Sequence, residues 1–365
     1  MKAHLPDYPL IFIVSFLVVF GLVILSSASV VLSHDSFGES YYFLKRQLIL
    51  GLPLGIACFL ICQRIDYHRW QKLAFPLLIF SLILLILVFI PSIGYSHAGA
   101  RRWINLGIGS LQPFEFVKIT LILYLAALLS KKGEKKEVIK KSLMPMAITA
   151  GIIMLLVFFQ PNMSALGFVV LLVGFLYFLA GLNLSYLIGF GLLALIGLWG
   201  LIKVAPYRAN RLTVFLHPEI DPQGMGYQIN QALLAIGSGG LFGLGLTHSI
   251  QKWKYLPEAI SDSIFAIIAE ELGLIGAGFL VILFVILAWR GLKIAKNAPD
   301  KFGFLLAGGI TGWIFFQAFI NMAAISGMIP LTGMPLPFIS YGSSALVSSL
   351  IGMGILVNIS KYTNP

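Results

Sequence analysis

Charge is what this sequence has least of. Only 11% of its 365 residues are Asp, Glu, Lys or Arg, against about a quarter in an ordinary soluble protein. With 59% apolar residues besides, the chain has too little polar material to cover a water-soluble globule, and it reads as an integral membrane protein. Cysteine is nearly absent: Cys58 and Cys62 lie one helical turn apart in an apolar run, a pattern for burial as small hydrophobes and not for a metal site or a disulfide. The six histidines (His4, His34, His68, His97, His217 and His248) show no ligand spacing, so no zinc site is expected. Low-complexity tracts and internal repeats are also lacking, which disfavours the repeat-built transporters. Acidic residues number 14 against 25 basic ones. In a membrane protein that net charge of +11 marks cytoplasmic loops and does not point to nucleic acid.

What the chain has in abundance is long apolar runs. Windows able to cross a hydrocarbon layer roughly 30 Å thick occur about ten times. They lie near 10–32, 47–63, 73–91, 113–130, 143–160, 163–181, 183–204, 262–289, 302–326 and 338–360. The first exceeds the usual length of a signal-peptide core and is kept as a spanning helix. The fold class expected is an all-α polytopic bundle of about ten transmembrane helices, a single domain over 1–365. Loop charge orients it. One side collects Lys2, Arg64, Arg69, Lys72, Lys131, Lys132, Lys135, Lys136, Lys140, Lys141, Arg290, Lys293, Lys296, Lys301 and Lys361. The other holds Lys45, Arg46, Arg101 and Arg102, so fifteen against four puts both termini in the cytoplasm.

That orientation leaves a long extracytoplasmic loop, about 205–261, between helices 7 and 8, too long to be a mere connection. Residues 227–236 alternate at helical spacing and read as an interfacial helix, and 238–245 (SGGLFGLG) as a glycine-rich turn. A phosphate-cradling loop is disfavoured because no Lys-Ser/Thr follows the glycines.

Ionisable residues in or beside apolar windows are the candidates for chemistry. With Pro257 at the first helical position, Glu258 and Asp262 fall four apart on one helix face at a membrane mouth. Asp262 then has a functional reading, a general base acting on a hydroxyl, and a structural one, an exposed helix cap or a salt-bridge partner to Lys252 or Lys254. Glu115 and Lys118, three apart, face one way as either a packing pair or a cavity lining. Arg46, Arg101 and Arg102, with Arg208 and Arg211 in the long loop, are snorkelling anchors or a grip on a lipid-linked phosphate. Gln160-Pro161-Asn162 ends a helix on the same side, Pro330 to Pro337 forms another turn there, and small polar residues from Ser340 through Gly342 to Ser344 open the last helix.

Several stretches jointly resemble one family. They are Tyr42–Gln47 (YFLKRQ), Gly99–Gly107 (GARRWINLG), Gln112–Lys118 (QPFEFVK), Gln160-Pro161, Phe215–Pro222 (FLHPEIDP), Gly226–Gln228, Ala235–Gly243, Tyr255–Glu258 (YLPE), Ile264–Gly273 and Pro335–Gly342 (PLPFISYG). Together these span nearly the whole chain, and the sequence resembles the SEDS proteins (shape, elongation, division and sporulation), which include FtsW and RodA. The resemblance implies a ten-helix peptidoglycan glycosyltransferase of the bacterial cytoplasmic (inner) membrane that polymerises lipid II on its outer face. It maps the family's proposed catalytic aspartate onto Asp262, its Glu-x-x-Lys pair onto Glu115 and Lys118, and the glutamate after Leu-Pro onto Glu258.

Carried to mechanism, Asp262 would take the proton from the acceptor hydroxyl in a single inverting displacement. Arg46, Arg101, Arg102 and a divalent cation (Mg or Mn) would offset charge on the leaving pyrophosphate. Gln160, Ser340 and Gly342 join the expected substrate cavity. The implied partners are lipid II, a class B penicillin-binding protein and divisome or elongasome membrane proteins. Three motifs depart from the family: its His-Thr-Asp-Phe reads Ile260-Ser-Asp-Ser263, its Gln-Pro-Asp ends in Asn162, and its Tyr-Gly-Gly-Ser reads Tyr341-Gly-Ser-Ser344. The stretches around Asp221, Gln228 and Tyr255–Glu258 look closer to FtsW, whereas Thr332 stands where FtsW proteins usually carry Lys and Pro335–Pro337 resembles RodA. A lipid II flippase lined by Glu115 and Lys118 is the reading from another class.

Overall fold

The computed structural model describes residues 4–97, 100–107, 109–131, 135–181 and 213–363. The expected seventh helix (183–204) and Arg208 and Arg211 lie outside them. Among the described residues there are eleven helices of eight residues or more. They are α1 (Tyr8–Ala28), α2 (Val30–Phe37), α3 (Tyr42–Cys62), α4 (Tyr67–Leu87), α5 (Pro113–Leu129), α6 (Lys135–Phe159), α7 (Met163–Leu179), α8 (Met225–Ser238), α9 (Ile264–Lys296), α10 (Lys301–Ile325) and α11 (Ser343–Ser360). Seven of them are long and apolar enough to cross a membrane, so the chain is the multi-pass helical bundle its composition demands.

Local chemistry sets the helix limits. Asp7, Asp66, Asn162 and Asp300 each cap a following helix through a side-chain oxygen, as in Leu10 N–H to Asp7 (2.9 Å) and Gly303 N–H to Asp300 (2.7 Å). α3 widens into one π turn over Gln47–Gly51 just before Pro53, whose missing N–H interrupts the α ladder. The hydrocarbon-facing helices expose apolar side chains, whereas α10 and α11 are buried among the others. α7 packs closely on α10 because Gly309 and Gly312 leave room: a Cβ on Gly312 would lie 2.1 Å from the Phe175 ring.

One element was not foreseen from sequence. The connection between α4 and α5 is a small antiparallel meander, β1 (Gly94–His97), β2 (Ala100–Asn105) and β3 (Ser110–Leu111), with Tyr95 opposite Trp103 and Ile104 opposite Leu111. It stiffens the segment carrying Arg101 and Arg102, which the sequence pattern alone presents as a loop.

A second difference concerns the stretch from Pro257. The expected helix face carrying Glu258 and Asp262 does not form: residues 255–263 are consecutive turns, Glu258 has φ +52°, and α9 begins only at Ile264. Glu258 C=O accepts from both Ser261 N–H (3.1 Å) and Ser263 N–H (3.0 Å), which closes a tight turn in place of a helical one.

α9 itself is broken at Gly273, where φ is +68° and ψ is −170°. The break strands four backbone groups, and the glycine-rich segment supplies partners for each. Leu244 N–H bonds Glu270 C=O (2.9 Å), Gly245 N–H bonds Glu271 C=O (3.0 Å), Leu274 N–H bonds Gly240 C=O (2.9 Å) and Ile275 N–H bonds Leu241 C=O (3.2 Å). The approach is so close that a Cβ on Gly239 would sit 2.0 Å from Ala269 O. The glycines of 238–245 therefore make a backbone seam, and donors that a phosphate loop would need are spent on α9. The predicted helix over 227–236 is present as α8, its Gly226, Ile229, Ala232 and Ala235 face buried against α9.

Candidate functional site

Helix direction gathers the candidates. The starts of α3, α5, α7, α9 and α11 and the ends of α1, α4, α6 and α10 all lie at one end of the bundle, and the sequence-selected residues sit on these ends. At that end a cleft of about 140 Å³ is lined by Arg102, Gln228, Glu258, Asp262, Asn321, Thr332 and Gly333, among others. Asp262 and Glu258 thus share one cavity although they do not share a helix.

Each wall is held by an identifiable contact. Arg102 on β2 reaches the end of α6, its guanidinium donating to the carbonyls of Gln160 (3.3 Å) and Pro161 (2.5 Å). Glu258 accepts from the Ser261 hydroxyl at 2.5 Å. Gln228 on α8 donates to the Ser263 hydroxyl at 3.0 Å, which fastens α8 to the entry of α9. On the opposite side the Ser164 hydroxyl donates to Thr332 C=O, and Gly333 (φ +65°) leaves space beside Asp262, where a Cβ would lie 3.3 Å from Asp262 Oδ2.

A second, smaller cavity adjoins through the same Gly333 and is lined by Gln112, Glu115, Lys118, Asn162, Gln317 and Pro335. Lys118 Nζ is 2.8 Å from Glu115 Oε2 and 2.7 Å from Gln317 Oε1, and both members of the ion pair are only 2% exposed. The aromatic faces of Phe114, Phe168 and Trp313 surround the ammonium at 5.2–5.9 Å. The Ser348 hydroxyl donates to the same Glu115 oxygen (3.3 Å), and Gln317 Nε2 donates onward to Pro335 C=O (2.9 Å). The pair is therefore both buried packing and cavity lining, the two roles its spacing left open.

Other expected site residues have different surroundings. Gln160 is buried, its side chain donating to Leu85 C=O (3.1 Å), and it supports Arg102 through its backbone. Ser340 donates to Ser261 C=O (2.5 Å) and accepts from Leu336 N–H (2.8 Å), so it braces the turn before Asp262. Gly342 N–H meets the Gln47 side chain (3.4 Å) at the start of α11. Arg46 bonds the Tyr42 hydroxyl (3.2 Å) and Arg101 is exposed on β2; neither lines the Asp262 cleft. Lys252 and Lys254, considered as partners for Asp262, are engaged with Glu271 (3.2 Å) and Asp35 (2.7 Å). The Lys254 ammonium holds the Asp35 carboxyl below its ordinary range. Burial pushes the Tyr341 phenol above its ordinary range.

The departures from the family pattern also find their places. Ile260 is buried in the core, its C=O accepting from Tyr341 N–H (2.9 Å), and Ser263 is the partner of Gln228. Sequence reading missed Asn321 and Gln317, both buried on α10. A polar residue inside an apolar window was their signal, and without a charge it did not stand out.

Comparison with known proteins gives consistent matches over the whole length. A family model described as "Cell cycle protein" (FtsW/RodA/SpoVE) matches residues 8–365. The chain is 40% identical over 365 residues to stage V sporulation protein E of Bacillus subtilis (strain 168), covering 99% of each. It is 43% identical over 354 residues to a probable peptidoglycan glycosyltransferase FtsW of Trichlorobacter lovleyi, covering 97% of this chain and 93% of that one. Among solved structures, a chain of a peptidoglycan synthase complex that coordinates polymerization and crosslinking superposes with a TM-score of 0.79 at 29% identity, covering 97% of both. The rod shape determining protein RodA of Thermus thermophilus superposes with a TM-score of 0.71 at 29% identity, covering 98% of both.

Proposed function

We infer the activity from one premise, that this chain belongs to the FtsW/RodA/SpoVE family of cell cycle proteins: it is a peptidoglycan glycosyltransferase that polymerises lipid II into β-1,4 glycan strands, with Asp262 as general base. The observation that carries the role of Asp262 is its place in a cleft at one end of the bundle, beside a second carboxylate, Glu258, and the guanidinium of Arg102.

In the reaction, the 4-hydroxyl of the acceptor's N-acetylglucosamine gives its proton to Asp262 while its oxygen attacks C1 of the donor's N-acetylmuramic acid. The C4–O–C1 bond forms as the bond from C1 to the pyrophosphate oxygen breaks, and undecaprenyl pyrophosphate leaves with the bonding electrons. Attack opposite the leaving group turns the α-linked donor into a β product. Arg102 is the cation nearest this chemistry; Arg46 and Arg101, outside the cleft, serve the flanking lipid-phosphate surface. Glu115 and Lys118 shape the adjoining cavity. At about 140 Å³ the cleft is smaller than the roughly 300 Å³ or more of a small-molecule pocket. It takes the reacting groups and leaves the rest of a large lipid-linked substrate on the neighbouring surface. Among the described residues no set of three His, Cys, Asp or Glu side chains is arranged for a metal ion; a cation bridging carboxylate and pyrophosphate would have Asp262 and Glu258 as its protein ligands in this cleft.

The reaction end faces the outside of the cytoplasmic membrane and both termini the cytoplasm, on the strength of the loop charges. The working partner is a cross-linking penicillin-binding protein of class B, by analogy with the synthase complex above. The motifs at Asp221, Gln228 and Glu258 favour a division role of the FtsW type. A flippase is the weaker reading, because the polar groups that line cavities collect at one end. The other end is cross-tied by Arg290 with Asp7 (2.6 Å), Tyr67 with Asp300, and Asn358 with Tyr67 and Gln63.

The test is polymerisation of lipid II by the purified protein. Asp262→Ala or Asp262→Asn is expected to lower the rate by about 10²–10⁴, the range of a positioned base. Near-normal polymer from a folded variant would remove Asp262 from the mechanism.

A further inference from the structure

We propose that Asn321 is the positioning residue that sets Asp262 against the Gly333 wall of the cleft. The inference rests on the reading of Asp262 as the base and assigns that base its support.

Asn321 lies on α10, 59 residues beyond Asp262 in sequence, and is 1% exposed while lining the same cleft. Its side-chain nitrogen donates to Asp262 C=O at 2.7 Å and to Met334 C=O at 2.7 Å. A carboxamide nitrogen has two protons, and each has its own acceptor here. This also fixes the orientation of the amide, since the flipped form would point an oxygen at two carbonyl oxygens.

The two carbonyls belong to the irregular segments that face each other across the cleft. Asp262 stands at the end of the 255–263 turns, where its C=O turns sideways to Asn321 while Ala266 N–H bonds Ser263 C=O (3.0 Å) and begins the helical ladder. Met334 follows Gly333, the glycine whose missing Cβ would be 3.3 Å from Asp262 Oδ2. One buried amide thus ties the backbone of the base to the wall its carboxylate faces. The distance between them does not depend on either turn alone.

The amide oxygen of Asn321 is buried without a hydrogen-bond partner among the described residues. An apolar residue would avoid that cost, so the amide's presence is explained by what its nitrogen holds. Gly333 supports the same conclusion independently. Its φ of +65° favours glycine, and the space it leaves is occupied by no side chain of its own beside the carboxylate.

The experiment uses the full chain, purified and assayed with lipid II, comparing Asn321→Ala, Gly333→Ala and Asp262→Asn. Asn321→Ala is expected to lower kcat by roughly 10–100-fold with KM within about threefold, because a misplaced group slows the chemical step more than binding. Gly333→Ala crowds the carboxylate with a methyl group, so it is expected to lower kcat and to move the acidic limb of the pH–rate profile upward by excluding water from the charged form. Melting temperature and monodispersity are measured on every variant. Parental kcat and KM in folded Asn321→Ala, or an unchanged kcat and acidic limb in Gly333→Ala, would overturn the proposal. If Asn321→Ala does not fold, Asn321→Asp, the same size but without the two amide protons, is read by the same kcat and KM split. Activity retained by Asp262→Asn defeats the base assignment instead, whereas inactive Asp262→Asn beside fully active Asn321 and Gly333 variants defeats the positioning role alone.

Discussion

At the level of single residues, Glu115 and Lys118 show how far spacing carries. Three positions apart on a helix, they had to face the same way, and they do. What spacing could not supply is Gln317, 199 residues from Lys118, which accepts a second hydrogen bond from the ammonium and donates one to Pro335 C=O. Removing one partner strands a buried charge, so Lys118→Met alone is expected to cost about 3–5 kcal/mol, and Glu115→Leu with Lys118→Met together far less. Thermal unfolding of the singles and the double checks this. A double variant with near-parental melting temperature but depressed polymerisation would separate the cavity role from the packing role.

Among elements, the decisive one is the broken helix α9 with the segment before it. The carboxylate of Glu270 accepts from Ser249 (2.5 Å) and from Ile250 N–H (2.9 Å), while Glu271 takes Ser27 (2.6 Å) and Lys252 (3.2 Å). Both glutamates are fully buried, and together they clasp the segment that runs on to Glu258 and Asp262. Lys252→Met should therefore destabilise by about 3–5 kcal/mol, read as a lower melting temperature. Gly239→Ala should open the seam with α9, because its methyl group would meet Ala269 O at 2.0 Å; increased hydrogen exchange over 240–245 is the expected signature.

The exposed Asp35–Lys254 pair ties α2 to this segment, and acid weakens it. The Asp35 pKa is lowered in the folded state, so its contribution is complete above the unfolded value near 3.8 and is lost as pH falls through the folded one. A neutral buffer should leave this tie intact, and Asp35→Asn should remove the acid sensitivity of hydrogen exchange around it. The glycine spacing at 238–245 showed that backbone would approach something closely. It did not show what, because the partner is another piece of backbone at a helix break.

For the molecule as a whole, charge asymmetry predicts sidedness. In a Cys58→Ser, Cys62→Ser background, Lys254→Cys should react with a membrane-impermeant thiol reagent in intact spheroplasts, and Lys361→Cys only after permeabilisation; the reverse pattern would invert the topology. The sequence by itself determined the bundle, because in hydrocarbon every backbone group must be satisfied within its own segment, and long apolar windows leave helices as the answer. Its motifs also determined membership of the FtsW/RodA/SpoVE family. Only the tertiary structure decided how the site is made. Glu258 and Asp262 meet across turns and not along a helix, Arg102 stands on a small sheet, and Asn321 reaches Asp262 from a helix far along the chain. Those contacts join residues distant in sequence, and local periodicity carries no information about them.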